Sequence, residues 1–125
     1  MFEIKDFDGS SGQILNYRIN KDSLKIIYNC DFQDCEEKII YSIKLKERKI
    51  LKFYEYLKKN TTDTLKAKYT EQGYDGLNLL IRISGDSLNS KRIRLERFWH
   101  PEIEKLIIEM DKLIKDKKFK FLKNN

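Results

Sequence analysis

Few residues of this chain are of a type from which a reaction centre could be built. It has a single histidine, His100, and two cysteines, Cys30 and Cys35. A structural zinc site wants four nitrogen or sulfur ligands, typically with closely spaced cysteine pairs. Cys30 and Cys35 are separated by four residues, His100 is far away in sequence, and no fourth such ligand exists, so no metal is expected. The two thiols instead flank a turn, Asp31-Phe32-Gln33-Asp34, as small, semi-buried residues, with a reversible disulfide across that turn as the alternative. A cysteine nucleophile would need His100 within reach and a third group to orient it. Neither cysteine has the local context of a cysteine hydrolase, and His100, directly before Pro101, reads as the start of a helix.

The remaining polar constellations point away from catalysis. Asp31, Asp34, Glu36 and Glu37 are close together but lack the spaced ligands and bidentate last residue of a calcium loop; they read as a solvated turn. Gly9 and Gly12 match neither a Walker A loop nor a dinucleotide-binding fingerprint, so no cofactor is expected. The one suggestive group is basic. Arg92 and Arg94 alternate with Ile93 and Leu95, and Arg82 alternates with Ile81 and Ile83. A register that keeps the apolar faces together puts all three arginines on one outer sheet face. With Arg97, four of the chain's six arginines fall on this hairpin. Arginine suits such a place because its planar fork makes bidentate contacts to carboxylate or phosphate; Glu96 neutralises part of the charge. Trp99, between this strand and the last helix, is expected to anchor that helix or to serve as an interface residue, and Tyr74 on a nearby turn could join it.

The elements that position these residues follow from hydrophobic period. Phe2 and Ile4 alternate with Glu3 and Lys5 in a first strand, and Asp8-Gly9-Ser10-Ser11-Gly12 is a turn. Residues 13–20 form a second strand with Leu15, Tyr17 and Ile19 on one face and Asn16 and Arg18 on the other. Residues 24–30 form a third. In a fourth, over 37–46, Ile39, Tyr41, Ile43 and Leu45 share the apolar face. Short connections favour an antiparallel meander. At Glu47 the period changes: Ile50, Phe53, Tyr54 and Leu57 make one stripe of a helix ending near Asn60. Residues 64–70 lean towards a strand. A turn at Gly73-Tyr74-Asp75-Gly76 leads into an apolar strand over 77–84 and a further strand over 91–98. Pro101 opens the last helix, Glu102 and Glu104 suit its positive end, and Ile103, Leu106, Ile107, Met110, Leu113 and Ile114 give it a continuous apolar stripe. Phe119 and Phe121 are placed to cover the edge of the core.

The 125 residues make one domain, with 122–125 a frayed tail. The expected fold is α+β: an antiparallel sheet of about five to seven strands with two helices on one face, in the order β-β-β-β-α-(β)-β-β-α. No apolar run approaches the length of a membrane span, and the N-terminus lacks the pattern of a signal peptide, so the expected compartment is the cytoplasm, with reduced thiols.

From Tyr74-Asp75-Gly76 through the charged hairpin to Phe98-Trp99-His100-Pro101-Glu102-Ile103, the chain resembles small bacterial α+β proteins that include immunity proteins of polymorphic toxin systems. The resemblance covers roughly residues 74 to 115 and implies a non-enzymatic, cytoplasmic protein that blocks a toxin by covering its working surface. Blockers of nucleases need acidic surfaces to complement a basic face. The net charge of +6 therefore points to a toxin or effector with an acidic surface, or to one that is not a nuclease. A basic nucleic-acid-binding domain is the first alternative and a small enzyme the second.

Overall fold

The computed structural model describes residues 1–8, 13–30, 36–60, 68–70, 78–85, 88–96 and 100–122. The strands are β1 (Phe2–Asp8), β2 (Gln13–Ile19), β3 (Ser23–Cys30), β4 (Lys38–Lys44), β5 (Lys68–Thr70), β6 (Asn78–Gly85) and β7 (Leu88–Glu96); the helices are α1 (Glu47–Asn60) and α2 (Pro101–Asp111). All seven strands join one sheet in the order β4-β3-β2-β1-β6-β7-β5. Six of them pair antiparallel, while the three-residue β5 runs parallel to β7. The fold is α+β, as expected. Of the region read as a strand over 64–70, residues 68–70 form β5, and 64–67 lie outside the described residues.

Alternation sorts the sheet into two faces. The inner face is apolar: Tyr41, Ile26, Tyr17, Ile4, Ile81 and Ile93 form one row across six strands. Against it pack Ile50, Phe53 and Leu57 of α1 and Ile103, Leu106, Ile107 and Met110 of α2, in a single core cluster. Each such side chain contributes about 1.5–3 kcal/mol by leaving water. Phe53 meets Phe2 edge to face at 5.1 Å, and the Tyr54 hydroxyl donates to the Ile19 carbonyl at 3.2 Å, tying α1 to the end of β2.

Helix α2 stops at Asp111, earlier than its apolar stripe suggests, so the lysines from Lys112 onward do not form its last turn. Leu113 and Ile114 nevertheless stay buried, because the chain folds back over β2 to β4. Phe119 stacks on Tyr41 at 4.8 Å, and Phe121 meets Tyr17 edge to face at 5.3 Å. A carboxylate at a helix C-terminus is unfavourable, yet Asp111 is buried there. It accepts hydrogen bonds from the backbone N–H of Phe121 at 2.7 Å and of Leu122 at 2.9 Å.

One strand departs from the sequence pattern. Ile26 pairs with Tyr41, but the next residue, Ile27, pairs with Ile39, leaving Ile40 as an extra residue in a bulge. The bulge turns Ile39 to the face away from the helices, where it is 59% exposed, and leaves Ile40 42% exposed. Ile39 is therefore not a core partner of Tyr41 and Ile43.

Two predictions follow from the closing of the inner face. Asp111→Ala should lower stability by about 1.5–3 kcal/mol, the range for hydrogen bonds to a charged acceptor; the amides of Phe121 and Leu122 should lose their protection against hydrogen exchange while those of β1 keep theirs. Second, burial, reinforced by Asp6 and Asp111, holds the Tyr17 phenol well above the usual tyrosine range, and burial raises Tyr54 and Tyr56 as well. A raised phenol favours the protonated folded state, so its stabilisation is complete below the unfolded value of about 10 and is lost as pH climbs beyond it. The urea midpoint should fall between about pH 9 and pH 11.5, and Tyr17→Phe should make that fall shallower. An unchanged slope would assign the alkaline loss to other groups.

Candidate binding surface on the outer sheet face

Among the described residues, both helices lie on the inner face, and the outer face carries the polar half of each strand. Register places Lys25, Arg18, Glu3, Arg82 and Arg92 in one row across β3, β2, β1, β6 and β7. The next row holds Ile39, Ile27, Asn16, Lys5, Leu80 and Arg94. Neighbours in a row lie about 4.8 Å apart across strands, close enough for every side chain to touch the next.

The centre of this face is a buried carboxylate. Glu3 is 3% exposed and Asn16 2%. Glu3 Oε2 accepts from Asn16 Nδ2 at 3.2 Å and from Arg18 Nε at 3.1 Å. Glu3 Oε1 faces Arg82 Nη1 at 3.8 Å, too long for a hydrogen bond. Both Glu3 Oε1 and Asn16 Oδ1 are buried without a hydrogen-bond donor. One carboxylate thus answers two guanidiniums, Arg18 closely and Arg82 loosely. Further along, Arg94 sits 3.9 Å from Glu96. Leu80 and Ile27 are buried in this same face, where Ile39 is exposed.

The sequence-based site residues fall into two groups. Arg82, Arg92 and Arg94 are exposed and share the outer face, with Arg82 and Arg92 directly opposite one another. Arg97, Trp99 and Tyr74 lie outside the described residues, as do Cys35 and the acidic turn at Asp31 and Asp34. His100 caps α2, its Nδ1 accepting the Glu102 N–H at 3.1 Å. Among the described residues no cluster of three His, Cys, Asp or Glu is placed to hold a metal ion, and no helix is long and apolar enough to cross a membrane.

Sequence reasoning did not identify Glu3, Asn16 and Arg18 as site residues. Alternation put each on the polar side of its own strand, but only the pairing of β1 with β6 brings them beside Arg82. Comparisons with protein families, with curated proteins and with solved structures give no match.

The two ion pairs of Glu3 should differ in strength. Arg18→Ala removes a hydrogen-bonded partner of a buried charge and should cost about 1–2 kcal/mol. Arg82→Ala removes a half-exposed, longer contact and should cost less than about 0.5 kcal/mol. Urea unfolding of the two variants checks the ranking, and the reverse order would make Arg82 the principal partner of Glu3.

Proposed function

We propose that this chain is a non-enzymatic binding module that recognises an acidic partner protein through the outer face of its sheet, as immunity proteins cover the working surface of a toxin. The observation that carries this reading is the exposed arginine group of β6 and β7. Arg82, Arg92 and Arg94 project from adjacent strands whose other face is locked into the core, so the guanidiniums stand on a rigid base. Arginine on such a base forms directional contacts to carboxylates at small entropic cost. The exposed Ile39 on the same face adds an apolar side chain to the arginines, a combination found at protein interfaces.

Nucleic acid fits this surface less well. Interfaces with nucleic acid are more polar and more uniformly positive, and binders of single strands present exposed aromatic rings for base stacking. The exposed large hydrophobic side chains among the described residues are Met1, Ile39, Ile40 and Leu51, none aromatic. The engagement of His100 in capping α2 likewise supports a non-enzymatic role.

Charge reversal tests the reading. The doubly substituted chain Arg92→Glu, Arg94→Glu should lose a complex captured from native cell extract while keeping its thermal unfolding within a few degrees of the parent. Reversal of Lys49 and Lys52, exposed on α1 in the helix layer, should leave the same complex intact. A complex indifferent to the first pair of reversals, or equally sensitive to both pairs, would remove the outer face from the interface. Binding to duplex or single-stranded oligonucleotides in place of a protein would move the function to nucleic acid.

A further inference from the structure

Resting on that reading, we propose that Arg82 and Arg92 form a two-guanidinium clamp for a single carboxylate side chain of the partner protein, with Glu3 as the residue that positions one half of it.

Register brings the two residues side by side. Arg82 and Arg92 are direct cross-strand partners in the antiparallel β6–β7 pair. Directly opposite residues have Cβ atoms about 4.5–5.5 Å apart, and like charges so placed repel. Within the sheet this repulsion has only a partial answer. Glu3 Oε1 lies 3.8 Å from Arg82 Nη1, but the same carboxylate already accepts a hydrogen bond from Arg18. Glu96 faces Arg94. Among the described residues no carboxylate is paired with Arg92. Three guanidiniums, Arg18, Arg82 and Arg92, therefore stand in one row around a single buried acid.

A depression of about 250 Å³ opens beside the pair, lined by Met1, Arg82, Ile83, Ser84, Lys91 and Arg92. Among the described residues its lining includes Arg82, Lys91 and Arg92 and no acidic residue. The Ser84 N–H donates to the Met1 carbonyl at 2.8 Å, which fixes its wall to the start of β1. The volume lies just below the roughly 300–1,000 Å³ of sites that enclose a small molecule, and it suits one acidic side chain presented from outside. An occupying carboxylate would offer two oxygens to two forks, the arrangement in which arginine binds most strongly. It would also remove the repulsion between Arg82 and Arg92, a gain available only in the complex. A protein carboxylate, rather than a phosphate, is the source that this reading implies, and the exposed Ile39 supplies an apolar group on the same face.

Fluorescein-labelled octaglutamate, titrated with the full chain at low ionic strength and followed by anisotropy, tests the clamp. Arg92→Glu should weaken binding at least tenfold and Arg92→Lys severalfold, since lysine keeps the charge but loses the fork. Lys52→Glu, an equal change of charge on α1, should alter affinity less than twofold. Matching losses from Arg92→Glu and Lys52→Glu, or undiminished binding by Arg92→Lys, would reduce the effect to net charge and overturn the clamp. Tighter binding of a single-stranded DNA of the same charge, with the same dependence on Arg92, would overturn the carboxylate in favour of phosphate. A captured partner lost on reversal of Arg94, together with an octaglutamate affinity indifferent to Arg92, would remove the clamp and keep the partner-binding reading. Indifference of both would remove the two together.

Discussion

Strand β1 carries the constraint on which the rest of the structure depends, because its pairing with β6 joins the two halves of the chain. On one side it continues the β1–β4 meander, and on the other it receives β6, which brings β7 and β5 with it. Its side chains alternate without interruption through Phe2, Glu3 and Ile4. The register that sends Phe2 and Ile4 fully inside therefore sends Glu3 to the opposite face, between Arg18 and Arg82. A slip of one residue would bring a carboxylate into the apolar core and expose a phenylalanine, so the pairing is specified from both faces at once. Burying an acid is costly unless it is hydrogen-bonded to a cation, and Arg18 meets that condition. The charged centre of the outer face and the packing of the inner face are thus two results of one register.

The two faces are closed by different means. Inside, apolar area is covered by α1, α2 and the returning C-terminal segment, and the polar exceptions are matched to donors: Asp111 takes two backbone N–H groups. Outside, matching is incomplete. Glu3 Oε1 and Asn16 Oδ1 lack donors although both atoms are buried, and in the row of Lys25, Arg18, Glu3, Arg82 and Arg92 four cations stand with one acid. In a sheet face that served only to end the protein at solvent, opposite charges would be expected across strands, since such pairs stabilise and like pairs do not.

Local pattern made most of this fold legible. Period two marked the strands of the meander, period 3.6 marked both helices, and Pro101 with His100 marked where α2 begins. What could not be read were features set by contacts distant in sequence. The bulge that turns Ile39 outward depends on β3 as much as on β4, and an alternating run of apolar residues gives no sign of it. Similarly, α2 ends at Asp111, whose carboxylate holds Phe121 and Leu122, ten and eleven residues further on, while the apolar stripe simply continues to Ile114. For the surface, alternation within one hairpin sufficed to bring Arg82, Arg92 and Arg94 together. The inclusion of Glu3, Asn16 and Arg18 required β1 to lie between β2 and β6, a crossover that no local signal encodes.

The opposition of Arg82 and Arg92 is what separates a merely charged surface from one suited to recognition. A β-branched or aromatic residue in place of Arg92 would serve the strand better, by propensity and by relief of repulsion. Two guanidiniums at directly opposed positions repel, and the long Arg82–Glu3 contact offsets that only in part, since Glu3 is already engaged by Arg18. Such local disagreement between sequence and fold stability is characteristic of functional positions. Under the proposed clamp it has a chemical meaning: the missing member of the row is the partner's carboxylate, presented on the side of the sheet that neither helix covers.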